Sequence, residues 1–314
     1  MNATLDQITA ALNNCDDNSP FLLENEGAYQ AWRERKLRYR QEMDATMVYP
    51  LDHASILPQS MLDQIRRQVT AFNFVIFESA GELGKSGFLT LNRQFGLQDL
   101  DINLGADEDK VTSLQVVSES DHRSQYIPYS NRGMNWHTDG YYNPDGRRIN
   151  AFALYCVNQS ARGGGNFLFD HEMMYLLIRD RAPDLLKALM CDDVMCVPAN
   201  VQGNRIIRTE ETGPVFSLQP GTCVLNMRYT SRPHNIVWKT DRLSVSALNL
   251  VREILMDSNA MTEIRLEAQQ GIVCNNILHG RQSFHDGADQ PPRLVYRARY
   301  YDAIDIDKGS GLKA

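Results

Sequence analysis

The sequence predicts a mainly β protein with flanking helices, built as a sandwich or barrel of short strands. Three observations carry this expectation. From residue 113 onward, short apolar runs recur at 113–117, 151–157, 166–169, 223–225, 272–274 and 294–300. Turn signals punctuate them: Asn143-Pro144-Asp145-Gly146, Gly163-Gly164-Gly165 and Pro220-Gly221, the last suited to a type II turn. Many short strands separated in this way favour a sandwich or barrel. Finally, helical periodicity is confined to a few places.

Upstream, the first 60 or so residues read as helices and loops of mixed charge. A strand is expected over 72–77 and a helix near 87–95. Two helices interrupt the strand region. One starts after Asp170, a plausible N-cap, and runs through Met173, Met174 and Leu177. The other carries Leu243, Ala247, Leu250, Val251, Ile254 and Leu255, an i, i+4, i+7, i+8 stripe that reads as core packing. With no internal repeat or low-complexity linker, one domain suffices: a helical extension over 1–60 packed on a core over 61–314 that carries helical insertions.

Composition narrows the function. The 314 residues are 43% hydrophobic and 23% charged, as in ordinary globular chains. No apolar run approaches the roughly 20 residues that span a bilayer. The N-terminus, Met1-Asn2-Ala3-Thr4-Leu5-Asp6, lacks the basic and apolar regions of a secretory signal, so a cytoplasmic location is expected. A net charge of −7 argues against nucleic acid, whose phosphates attract basic surfaces. The basic stretch from Trp32 to Arg40 is expected to be the solvated face of a helix whose other side holds Tyr29, Trp32 and Leu37. The six cysteines (Cys15, Cys156, Cys191, Cys196, Cys223, Cys274) form no Cys-x-x-Cys pair. Cys156 and Cys223 lie in apolar runs and read as small buried hydrophobes.

Three segments could carry chemistry. In Trp136-His137-Thr138-Asp139-Gly140, strand alternation would send His137 and Asp139 to the same side, where they could grip one ion. Alone, such a pair is a weak signal. In Leu278-His279-Gly280-Arg281, His279 emerges near the end of an expected strand and could supply a third ligand. Two His and one carboxylate on one face of an ion leave positions open, as in non-haem Fe(II) oxygenases. In Arg293-Leu294-Val295-Tyr296-Arg297-Ala298-Arg299, period two puts the three guanidiniums on one face. They are expensive to bury without anions, and a bidentate carboxylate partner relieves that cost.

Together these segments resemble, in order and rough spacing, the taurine dioxygenase-like family of 2-oxoglutarate-dependent oxygenases, which includes clavaminate synthase and γ-butyrobetaine hydroxylase. The resemblance covers roughly residues 70–302. It implies a double-stranded β-helix (jelly-roll) core and Fe(II) held by His137, Asp139 and His279. It further implies Arg293 on the distal carboxylate of 2-oxoglutarate and Arg297 on an anionic group of the substrate. The implied reaction is oxidation of a C–H bond of a small, anionic organic substrate by O2, with release of succinate and CO2. One departure stands out: where the family often has Gly-Gly-x-Thr, with the Thr hydroxyl on the cosubstrate, this chain has Gly163-Gly164-Gly165-Asn166. Asn166 can still donate through its amide.

Other features lead elsewhere. Residues 79–86 nearly spell a phosphate-binding loop, but Ser79 replaces the first glycine. His171-Glu172 has Tyr175 where a zinc protease needs its second His. His53, His122, His234 and His285 have no ligand partner at short spacing, although His285 lies near the expected site. No Gly-x-Ser-x-Gly elbow is present. A catalytically silent jelly-roll that binds metal or anion is the alternative to an enzyme. A halogenase would replace the metal carboxylate, and Asp139 argues against it. The expected partners are the small-molecule substrate and O2, and the chain is compatible with a homo-oligomer.

Overall fold

A computed structural model of the chain describes residues 19–51, 57–102, 107, 109–219, 223–234, 236–257 and 259–310, without the side chains of residues 122, 202, 257, 309 and 310. Cys15, His53 and the Pro220-Gly221 turn lie outside the described residues, as does the His122 side chain. The architecture is mixed but sheet-dominated. A six-stranded sheet is formed by β1 (Val48–Leu51), β2 (Phe74–Ser79), β3 (Thr112–Leu114), β5 (Ala151–Asn158), β8 (Gln270–Asn275) and β10 (Leu294–Tyr300). Its order is β1-β2-β8-β5-β10-β3, with β1 parallel to β2 and the other pairs antiparallel. A smaller antiparallel sheet has the order β7-β6-β9-β4. Its strands are β4 (Met134–His137), β6 (Asn166–Phe169), β7 (Thr262–Ile264) and β9 (Leu278–Arg281).

The two sheets share a core. Phe74, Ile76, Phe152, Leu154, Ile272, Cys274 and Val295 of the large sheet pack with Leu168 and Ile264 of the small one. On its other face the large sheet buries Val75, Phe77, Tyr155, Ala298 and Tyr300 against α2 (Gln59–Phe72) and α3 (Lys85–Arg93). A third cluster joins α1 (Glu26–Glu42), α4 (His171–Arg181), α5 (Pro183–Leu189) and α6 (Arg242–Asp257) to Phe169 and Leu278. Period-two alternation therefore holds on the central strands, each buried on both faces.

Several expectations shift in detail. The strand foreseen over 72–77 begins at Phe74, because α2 runs to Phe72 and Asn73 caps it in the left-handed region at φ 60°. The segment before residue 60 contains strand β1 as well as helix. The run at 223–225 becomes a strand at Leu225–Met227, and Cys223 is neither buried nor in it. Within α6 the stripe holds except at Leu243, which is 52% exposed. Lys85 of the loop-like 79–86 segment pairs with Asp107 at 2.6 Å and Asp109 at 3.1 Å, so its charge is already compensated. Among the described residues, no helix is long and apolar enough to cross a membrane.

The basic stretch of α1 is not simply a solvated face. Tyr29, Trp32 and Lys36 point inward at i, i+3 and i+7, and Lys36 is 0% exposed. Its ammonium lies 2.7 Å from both Asp170 and Glu172 and donates to the Thr70 carbonyl at 3.1 Å. Asp170 caps α4 through the Glu172 N–H and accepts from Asn73 Nδ2, both at 2.9 Å. Lys36 thus pins α1 to the start of α4. Lys36→Ala leaves a buried carboxylate without its nearest cation, and stability should fall by about 3 kcal/mol, the low end for a broken buried pair. That end applies because Arg40 remains 3.6 Å away from Asp170. Urea denaturation checks this, and a loss under about 1 kcal/mol, the usual ceiling for exposed pairs, would return Lys36 to the surface.

Candidate active site

The site lies where β4 and β9 meet under the inner face of the large sheet. His279 of β9 stands directly opposite His137 at the end of β4, and their rings are 4.3 Å apart. Phe152 from β5 closes one side, 4.3 Å from the His279 ring. Strand alternation does not place Asp139, because β4 stops at His137. The chain then turns: the Thr138 N–H bonds the Tyr229 carbonyl at 3.0 Å, and Gly140 adopts φ 64°. A Cβ at Gly140 would come within 2.5 Å of Ile149, so the turn needs glycine for both space and conformation. The result still brings Asp139 back to the histidines, with its Oδ1 4.0 Å from His137 Nε2. Ligand atoms of His137, Asp139 and His279 all lie within 4.8 Å of one another, the one such group of three among the described residues.

Both imidazoles are oriented alike. His137 Nδ1 is 2.9 Å from the Asn135 carbonyl, and His279 Nδ1 is 3.0 Å from the Ile277 carbonyl. A carbonyl only accepts, so each Nδ1 carries the hydrogen and each Nε2 keeps a free lone pair. Burial pushes both histidines below their ordinary value, His279 down to about 3. Burial alone would raise Asp139; the Arg297 and Arg299 guanidiniums and the two imidazoles outweigh it and hold the carboxyl below the usual carboxylate range. Its Oδ2 is buried with no hydrogen-bond partner. Two neutral nitrogen donors and an ionised, unsatisfied oxygen fit a divalent cation.

The arginines follow the expected alternation with one offset. A register shift puts Leu294 opposite Asn158 and Val295 opposite Cys156, so Arg293 precedes β10 rather than heading it. It is nonetheless 6% exposed and lines a small pocket with Asn166, Ser160, Gly164, Cys156 and Val295. Its Nη1 is buried without a partner, and burial lowers its affinity for its proton. Arg297 reaches toward the triad: its Nη1 is 3.5 Å from Asp139 Oδ1 and its Nε is buried without a partner. Arg299 is already committed to Asp101 and to the Tyr142 hydroxyl, the latter at 3.1 Å.

Two residues escaped the sequence. Arg281, two positions beyond His279, is buried and donates to the Ser130 and Arg132 carbonyls at 2.8 and 2.7 Å. Burial and the nearby Arg293 charge push it down to about 9. Asn276 bonds the backbone of Asp139 from across the site. Neither contact leaves a local signal, because both partners are remote in the chain. His285, by contrast, is exposed on the strand Phe284–His285, and His234 is exposed, so neither joins the triad.

Residues 38–299 match the taurine catabolism dioxygenase TauD, TfdA family. The chain belongs to that family. No curated protein matches it in sequence. Among solved structures, it resembles a taurine dioxygenase from Burkholderia xenovorans with a TM-score of 0.53 at 19% identity, covering 85% of this chain and 96% of that one. It also resembles an asparagine oxygenase in complex with Fe(II), 3-hydroxyasparagine and succinate (TM-score 0.57, 14% identity, 91% and 92% covered). A third is the non-haem iron oxygenase OrfP in complex with Fe and α-ketoglutaric acid (0.56, 13%, 86% and 91%). At these identities the likeness speaks for the fold. The TauD, TfdA assignment also covers every residue of the site, from His137 to Arg299.

Proposed function

We propose that this chain is a double-stranded β-helix oxygenase that uses Fe(II) and 2-oxoglutarate to oxidise a C–H bond of a small anionic substrate in the cytoplasm. The observation that carries the proposal is the convergence of two Nε2 lone pairs and an unsatisfied Asp139 oxygen beside two buried guanidiniums, Arg293 and Arg297, that each keep a nitrogen without a partner. His137, Asp139 and His279 would hold the metal. Ferrous iron with 2-oxoglutarate and O2 supplies the oxidising power, with succinate and CO2 released.

The protein's part is binding and exclusion. Arg293 receives the distal carboxylate in its pocket, with the Asn166 amide beside it as a second donor. Phe152 closes one side of the triad, 4.3 Å from the His279 ring, and limits water on that side. The unpartnered Nε of Arg297, beside the triad, is free to attract a substrate carboxylate, sulfonate or phosphonate. The 3.5 Å contact of Arg297 with Asp139 engages Nη1 and leaves Nε without a partner.

A screen of carboxylates, sulfonates, phosphonates and amino acids for substrate-stimulated succinate formation tests the activity. Failure of every anion, with a neutral compound stimulating, would overturn the substrate class. Arg297→Ala should raise the substrate KM at least tenfold, about 1.4 kcal/mol, while 2-oxoglutarate affinity and substrate-free decarboxylation stay near wild type. An unchanged substrate KM would remove Arg297 from the anion site.

A further inference from the structure

We propose that Asn276 is the positioning residue for the metal carboxylate, its side-chain amide standing in for the strand partner that Asp139 lacks. The inference rests on the metal-site assignment above and goes beyond it. Asp139 lies past the end of β4, in a turn, so no ladder fixes its peptide groups. The Asn276 amide supplies both missing bonds. Its Oδ1 accepts from the Asp139 N–H at 2.8 Å and its Nδ2 donates to the Asp139 carbonyl at 2.7 Å. One residue's N–H and C=O are thus both met by a single planar group, the pattern of a hydrogen-bonded pair in an antiparallel sheet.

The second hydrogen of Nδ2 goes to the Ile149 carbonyl at 2.8 Å, so the amide has no freedom to rotate away. Asn276 is 5% exposed, and its own N–H bonds the Asn150 carbonyl at 2.8 Å. Its place in the chain matters as much as its bonds. It occupies the two-residue link between β8 and β9, three residues before His279. The same short segment therefore delivers one ligand as a side chain and fixes the backbone of another, while His137 is held opposite His279 by the ladder. All three ligands are referenced to β9.

A residue that merely filled space here would affect stability alone; a positioning residue affects how tightly the apo site closes on an ion. Asn276→Ala and the milder Asn276→Ser should each raise the Co(II) dissociation constant, read from the visible cobalt spectrum, by about 10- to 100-fold. Asn226→Ala is the control. Asn226 donates to the same Ile149 carbonyl at 3.3 Å and to Asn150 Oδ1 at 3.1 Å but does not touch Asp139. It should lower the melting temperature of the metal-free protein while leaving cobalt affinity within about twofold. Equal cobalt affinity in wild type and a folded Asn276 variant overturns the proposal, as does an equal loss in Asn226→Ala. Should neither Asn276 variant fold, hydrogen exchange on the metal-free wild type decides: the Asp139 amide should be as protected as the amides of β9, and rapid exchange overturns the proposal. Absence of cobalt binding by wild type would instead sink the metal-site assignment itself.

Discussion

His279→Ala should bind Fe(II) weakly and show no substrate-dependent succinate formation. The loss is expected to be complete because, on the proposed assignment, His137, Asp139 and His279 would be the protein's contribution to the ion, and two donors hold a divalent cation poorly in competition with water. His279 also has no local substitute: among the described residues no other His, Cys, Asp or Glu joins the group. Circular dichroism should show an intact fold, since the ring contributes one hydrogen bond to a carbonyl two residues away in its own chain. Activity near wild type at limiting iron would mean that the ligand set is wrong.

Arg293→Leu should raise the KM for 2-oxoglutarate by two orders of magnitude or more. Removing one member of a buried charge pair costs about 3–5 kcal/mol, and each 1.4 kcal/mol is tenfold. Leucine fills much of the space beside Phe284 without the charge, so the loss reports the ion pair more than packing. Arg281 lies nearby but is bound to two carbonyls, and Arg299 is paired with Asp101, so neither is free to take over. An unchanged KM in a folded variant would move the distal carboxylate to another cation, with Arg297 the first to test.

The sequence revealed side-chain types and periods, and those carried far. Strand alternation put Val295, Arg297 and Arg299 on one face and Tyr296, Ala298 and Tyr300 on the other, as found. That His137, Asp139 and His279 come together was expected from the sequence, although the turn after His137, not strand alternation, brings Asp139 to the histidines. What stayed hidden depends on contacts between distant segments. The end of β4 at His137 comes from the Thr138–Tyr229 crossing, and the burial of Lys36 from Asp170 and Glu172, more than 130 residues away. The register shift at Leu294 adds a residue to β5 that no period announces. Polar residues such as Asn276 and Arg281 read as surface until their partners are known.

The parallel strand β1 has a consequence for how the chain can be trimmed. Val48–Leu51 lies on the outer side of β2, with register running from Val48 opposite Ile76 to Leu51 opposite Ser79. A version starting at residue 60 would strip that cover and leave β2, whose Phe74 to Phe77 are all buried, with a bare row of N–H and C=O groups. Such a long apolar edge recruits strands from other molecules. The residues before 60 therefore guard the sheet against self-association, and a shortened chain would form β-linked aggregates even with every ligand of the site in place.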